Sequence, residues 1–365
     1  MKEFNQKIEL NDEILSVIPY KAEEILLFDI ETTGFSPDNT SLYLIGCIYY
    51  KDNSFMLTQW FADTNDSETE ILSSFMNLIP NYKALVHYNG SGFDIPYIIR
   101  KCKIHNIPCD FSNIRSIDIY KTIQPLKLLF KLENMKQRSL EVFMGYERTD
   151  MYSGGELIKI YTEYLANRSE DSLNLLLLHN REDVIGMCHI LPVITYGELC
   201  NGGYSVDFTE ARDSMSSLGI PRKEIYIHLT LNKAVPNRVS YGNAFYYFTI
   251  FEKKFTICIT AYTEELKYFY QNYKDYYYLP EEDRSIHKSV AFYVDKNYRT
   301  RAKAANCYSK KTGVFLPQNE EVITPYFKID YHDKISYFEY TDEFRKSDEQ
   351  ILLYVSHILK SLLRF

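Results

Sequence analysis

One tryptophan stands in 365 residues, and no low-complexity tract interrupts the chain. With 45% hydrophobic residues the composition is that of a globular protein, long enough for two domains that each bury a core. No run of 18 or more apolar residues is present to make a transmembrane helix. The opening MKEFNQKIELNDE lacks the apolar centre of a secretory peptide. Seven cysteines (Cys47, Cys102, Cys109, Cys188, Cys200, Cys258 and Cys307) are odd in number and contain no C-x-x-C pair. That argues against a zinc ribbon or a disulfide framework and fits a reducing cytoplasm. Cys47 and Cys188 lie in apolar runs and read as core. Positive charge is scarce in the first half: residues 1–195 hold 18 Lys and Arg against 27 Asp and Glu, while residues 196–365 hold 23 against 22. The first half is therefore a poor electrostatic collector of polyanions by itself, although a site using metal ions is not excluded.

What the first half does have is a patterned set of acids. Asp29 and Glu31 close the apolar run Ile25-Leu26-Leu27-Phe28 in the stretch LLFDIETTG. Side chains alternate across a strand, so the two acids project from one face. Two carboxylates about 5 Å apart repel by roughly 3 kcal/mol at an effective dielectric near 20. A hard divalent cation such as Mg²⁺ relieves that repulsion; an acidic strand-to-turn corner is the plainer reading. In ALVHYNGSGFDIPYI, Ala84–Tyr88 reads as a buried strand, and Asp94 opens a helix two residues before Pro96, where it could simply cap. In LNLLLLHNREDVIGMCHIL, His179 and Asp183 are four apart and share one helix face. They could be an internal hydrogen-bonded pair. Glu182 is expected to point elsewhere, into solvent, and Asp118, at another strand end, reads as structural.

Together these segments form an ordered pattern: acid-x-acid on a first strand, an acid at a later helix start, and His-x-x-x-Asp on a late helix. The pattern resembles the DEDD exonucleases of the ribonuclease H-like superfamily, closest to the bacterial YprB-like branch. SIDIYK (Ser116–Lys121), the Ser139–Arg148 stretch with SLE and MGYER, and MYSGGE (Met151–Glu156) are further matches. The resemblance covers about residues 22–195. It implies a mixed sheet flanked by helices, with Asp29, Glu31, Asp94 and Asp183 as metal-binding carboxylates for two Mg²⁺ or Mn²⁺ ions. It also implies His179 as general base in 3′→5′ hydrolysis of single-stranded DNA or RNA ends. One departure is the spacing: the histidine subclass sets this residue five before the last acid, and here it stands four before, as in the tyrosine subclass. Alternatives are a non-catalytic nucleic-acid-binding module that keeps the fold, and a phosphodiesterase acting on short oligonucleotides. No membrane and no obligate protein partner is implied.

Strands are expected at 25–30, 42–50, 54–61, 84–88 and 115–119, the second and third forming an antiparallel meander after the first. Helices are expected near 67–79, 95–105, 119–131, 137–144, 154–166 and 173–191. The expected domains are 1–195, a connection over 196–222 with Gly202-Gly203 and Ser214–Pro221, and a β-rich α+β domain over 223–365. In that last part, β-type runs at Ile225–Leu231, Ala244–Phe251 and Phe255–Tyr262 precede a C-terminal amphipathic helix near Ser347–Leu363. The second half carries 21 of the 33 tyrosines. Residues 284–311 hold eight Lys and Arg against Asp295 alone. Arg299, Arg301, Lys303 and Tyr298 are its candidate substrate-binding residues, because base stacking and phosphate neutralisation suit a single strand. A solvated charged face is the plainer reading.

Overall fold

The computed structural model describes residues 1–216 and 218–364, which divide into two compact units, Met1–Gly197 and Glu198–Phe365. In the first unit the elements run β1 (Lys2–Ile8), β2 (Ile25–Thr32), β3 (Leu42–Lys51), β4 (Ser54–Phe61), α1 (Glu68–Leu78), β5 (Ala84–His87), α2 (Asp94–Ile104) and β6 (Arg115–Asp118). Then follow α3 (Ile119–Ile123), α4 (Lys127–Phe130), α5 (Gln137–Phe143), α6 (Gly154–Asn167) and α7 (Glu170–Ile190). One six-stranded mixed sheet has the order β1-β4-β3-β2-β5-β6, antiparallel on the β1 side and parallel from β2 to β6.

The central strand β2 explains the sheet's order. Ile25, Leu26, Leu27 and Phe28 are all fully buried, as a strand covered on both faces requires. Each such side chain contributes about 1.5–3 kcal/mol of burial. The continuous apolar run gives way to Asp29 and Glu31 only where the strand reaches the end of its parallel partner β5. Functional groups in such sheets belong at that carboxyl end, outside the packed layer.

Helix α7 is the long core helix. Its length and apolar content would suit a membrane span. Here it packs on β2 and β3, burying Leu173, Leu176, Val184 and Met187. β1, outside the expected strands, is an edge strand with a largely exposed KEFNQKI sequence, so its apolar signal is weak. Charged residues on an exposed edge are the usual protection against stray pairing. The expected helix over 119–131 is broken into α3, a 3₁₀ turn at Gln124–Leu126 containing Pro125, and α4. All seven cysteines are free, with Cys47 and Cys188 buried.

The second unit is β-rich. Strands β7 (Tyr204–Met215), β8 (Pro221–Gly242) and β9 (Tyr246–Thr260) form an antiparallel sheet. The 196–222 stretch is therefore not a loose connection: it holds a short helix, Glu198–Asn201, and all of β7. Its alternating Tyr-Ser-Val-Asp-Phe-Thr start is a strand pattern masked by the preceding glycine pair. Three smaller antiparallel sheets follow, and the C-terminal helix Asp348–Leu363 buries Ile351, Tyr354, Val355, Ile358, Leu359 and Leu362 along one stripe. Much of the tyrosine here is framework. Tyr246 and Tyr354 are fully buried, and their hydroxyls both donate to the Pro317 carbonyl at 2.6 and 2.7 Å.

Candidate active site

Strand register builds the first wall of the site. Asp29 lies opposite Gly46 on β3, and Gly46 lies opposite Gln59 on β4. The three side-chain positions therefore share one face. Gly46 leaves the room that Asn180 of α7 fills: a Cβ there would stand 2.0 Å from the Asn180 Oδ1. Asn180 is buried, accepts from Gln59 Nε2 at 3.0 Å, and donates from Nδ2 to Asp29 Oδ2 at 3.1 Å. α7 is thus docked on the sheet through a polar chain that ends on a site carboxylate.

Glu31, two residues along, faces the same way. Its Oε1 is 3.8 Å from His179 Nε2. Asp94, at the start of α2, is buried, and its carboxylate accepts from the backbone amide of Ile30, between the two strand acids. Asp118 is no part of this cluster. Its oxygens accept from the amides of Asn89, Ser91 and Lys121 at 3.0, 3.2 and 3.2 Å, so it ties down the loop that delivers Asp94 and caps α3.

The second wall is α7 with the segment before α6. His179 Nε2 lies 3.1 Å from Asp183 Oδ2, and its Nδ1 lies 2.6 Å from Asp150 Oδ2. A carboxylate at Nδ1 assigns the proton there and turns Nε2 toward the acids. Arg148 is buried and pairs with both Asp183 and Glu141. Gly186 makes room for Glu141, since a Cβ would meet its Oε1 at 2.0 Å. Gln137 donates to Glu141 Oε1 at 2.9 Å and to the Asp183 carbonyl at 2.8 Å. Glu182 is not solvated as expected. It is buried and accepts from the amides of Thr149 and Asp150 at 3.1 and 2.8 Å. Glu182 stands three residues from His179, so it lies on a neighbouring line of the same helix face. Arg148, Thr149 and Asp150 are each tied to α7, and Asp150 in turn holds the imidazole.

Charge is unevenly compensated. Burial pushes the Asp29 carboxyl well up, and Asp183, Glu31 and Asp94 add to the rise. Burial raises Glu31 to about 8 and Asp94 to about 7. Asp183 goes the other way: burial would raise it, but His179 and Arg148 hold it below its ordinary value. Burial would lower His179, yet Asp183, Glu31 and Asp150 lift it to about 9. Ligand atoms of Glu31, His179 and Asp183 lie within 4.8 Å of one another, an acidic site able to hold a metal ion. Asp29 and Asp94, bonded around the same strand end, complete its carboxylate wall. Hard oxygen donors with elevated proton affinity fit Mg²⁺ or Mn²⁺.

A cleft of about 660 Å³ opens beside Asp29 and Asp94, lined also by Phe35, Phe93, Tyr88, Tyr120 and Lys136. Phe35 is 91% exposed and meets Phe93 edge to face at 6.0 Å. Arg299, Arg301, Lys303 and Tyr298 belong to the second unit, around the strand Thr300–Arg301. Arg148, Glu141, Asp150 and Asn180 escaped the reading of the sequence as chemistry. The SLE and MGYER matches held Glu141 and Arg148, Asn180 directly follows His179, and Asp150 lay outside every matched stretch.

A family model described as the RNase_H superfamily matches residues 26–195. Among curated proteins, DNA polymerase 1 of Aeropyrum pernix is 30% identical over 123 residues, 32% of this chain and 13% of that protein. Among solved structures, the family B DNA polymerase of Pyrobaculum calidifontis is similar with a TM-score of 0.40 and 16% identity, over 48% of this chain and 25% of that one. Exonuclease I of E. coli in complex with a dT13 oligonucleotide is similar with a TM-score of 0.28 and 11% identity, over 56% and 54%. The chain thus spans about half or less of each of these relatives. The matched residues, with their mixed sheet and flanking helices, have the ribonuclease H-like fold, followed by a β-rich C-terminal region.

Proposed function

We propose that this protein is a metal-dependent 3′→5′ exonuclease that hydrolyses phosphodiester bonds at single-stranded DNA or RNA ends. The observation that carries this reading is three carboxylates, the half-buried Asp29 and Glu31 and the buried Asp94, gathered at one strand end with less cationic compensation than Asp183 receives, beside an aromatic cleft. Polarity and the two-ion requirement rest on the resemblance to DEDD exonucleases.

Asp29, Glu31, Asp94 and Asp183 would hold two Mg²⁺ or Mn²⁺ ions. Bound ions supply an acidified water and charge stabilisation at phosphorus and at the leaving oxygen. The protein's own part is orientation and proton transfer. Asn180 and the Ile30 amide fix Asp29 and Asp94, and Arg148 holds one Asp183 oxygen so that the other stays toward His179. Asp150 accepts the Nδ1 proton, and the charge of bound ions would offset the acids that raise the imidazole, so that His179 Nε2 could take a proton from the attacking water. Phe35, Phe93, Tyr88 and Tyr120 offer ring faces for the terminal bases. The His179–Asp183 spacing of four is compatible with this role, since Nε2 already faces the acids.

The test is cleavage of 5′-labelled single-stranded DNA and RNA with Mg²⁺, Mn²⁺ or EDTA, beside Asp29→Ala. The expected result is a metal-dependent ladder that shortens from the 3′ end and is absent in the variant. Internal cuts would overturn the polarity, and no cleavage with oligonucleotide binding retained would leave a binding module.

A further inference from the structure

The second unit presents an exposed aromatic surface that its own core does not use. Phe292, Tyr293 and Tyr298 are 77%, 86% and 56% exposed, within seven residues of one another. Most aromatic side chains of this unit gain by packing, so three in water on one short segment call for a ligand. Their setting is built. Arg299 donates to the Ala291 carbonyl and lies 4.9 Å from the centre of the Tyr277 ring, and Arg301 lies 4.7 Å from the same centre. The turn that carries Phe292 is thereby pinned to the strand Tyr276–Leu279.

The charge around it is not spent internally. Of the eight basic residues between 284 and 311, Arg284, Lys288, Lys310 and Lys311 are paired with Glu282, Asp275, Asp283 and Glu339. Lys296, Arg299, Arg301 and Lys303 form no ion pair among the described residues. The acid in this stretch, Asp295, accepts from the Asn297 amide at 2.8 Å. The unpaired cations are thus those flanking the exposed rings.

We propose that residues 288–303 form a binding surface for single-stranded nucleic acid, with Phe292, Tyr293 and Tyr298 stacking on bases and Lys296, Arg301 and Lys303 meeting phosphates. Rings beside cations match a chain that alternates flat apolar bases with anions, and a duplex hides those base faces. The inference deepens the exonuclease reading and rests on it only for the choice of a polynucleotide as ligand. Arg299 is framework here, because its guanidinium already holds the turn.

The experiment is fluorescence anisotropy of the full chain with labelled dT15, U15 and a DNA duplex, in EDTA so that turnover plays no part. Phe292→Ala with Tyr293→Ala should weaken single-strand binding by roughly tenfold or more. Lys296→Gln, Arg301→Gln and Lys303→Gln together should reduce the slope of log affinity against log salt by about 2. The dT15 and U15 arms report which sugar is preferred. Wild-type affinity and salt slope in both variants would overturn the proposal. So would equal binding of duplex, or no oligonucleotide binding by the wild-type chain, which would turn this surface toward a protein partner. Because binding is read without metal, its failure is separate from any absence of cleavage in Mg²⁺.

Discussion

The two walls of the acidic site differ in who balances the charge. On α7, Asp183 is held between Arg148 and His179 and stays ionised. On β2 and α2, the half-buried Asp29 and Glu31 and the buried Asp94 crowd one another, with His179 3.8 Å from Glu31 as a partial offset, and desolvation pushes their carboxyls up instead. A protein can evidently supply cations to this site, since it does so a few ångströms away. The difference teaches that the α7 wall brings its own charge balance to Asp183, while on the proposed reading the strand acids wait for metal ions that they would share with Asp183.

The largest way to break this contrast is to remove the α7 wall's cation. Arg148→Met leaves Glu141 and Asp183 buried without their partner, which should destabilise by about 3–5 kcal/mol in urea unfolding. A variant with the wild-type midpoint would show that the triad carries no structural charge balance. On the strand wall the sign should reverse. Asp29→Asn keeps an acceptor for Asn180 but removes one negative charge. Metal-free stability at pH 8 should rise by about 2 kcal/mol while nuclease turnover is lost.

The pH profile sharpens the same comparison. Glu31 and Asp94, at about 8 and about 7 in the fold against ordinary values of 4.5 and 3.8, keep protons that the unfolded chain releases earlier. Their contribution is full below the unfolded values and is lost as pH rises through about 7 and 8. His179, raised to about 9 from 6.5, has the same sign over a higher window, and lowered Asp183 acts only below its ordinary 3.8. Thermal unfolding in EDTA should therefore move to clearly lower temperature between pH 5 and pH 8, by several degrees or more. Mg²⁺ should flatten that fall, and Asp29→Asn should already show a shallower one. The smallest effect on stability is expected from Asp150→Asn, whose amide oxygen still accepts the Nδ1 proton. Steady-state kinetics should show kcat lower by about 10–100-fold with KM little changed. An unchanged kcat would make Asp150 a packing residue.

Legibility in the sequence follows the range of the interactions. β2 announces itself by four consecutive apolar residues, and α7 by leucines at helical spacing. The meander was visible because β3 and β4 are dense in β-branched and aromatic residues. β1 was invisible because an edge strand needs little apolar sequence. Asp29, Glu31 and Asp94 stood out because they sit towards a strand or helix end, where a carboxylate has few structural duties, and His179 and Asp183 because they are polar residues four apart inside an apolar helix. Their supports did not. Arg148 and Asp150 lie in irregular chain between α5 and α6, and they acquire meaning only when folding sets them beside α7. Glu182 misled because its neighbour Asp183 faces the site, whereas its relation to His179 at three residues was the informative one. In the second unit, framework tyrosines such as Tyr246 and Tyr354 cannot be told from exposed ones by composition.

The most direct test of the central claim is calorimetric titration of Mn²⁺ into the metal-free chain at pH 7, in two buffers of different ionisation enthalpy, beside Asp29→Asn. The account predicts saturable binding with a buffer-dependent heat, because cations displace protons from Asp29 and Glu31, and it predicts a large loss of both in the variant. Binding that is absent, insensitive to buffer, or unchanged by the substitution would contradict it.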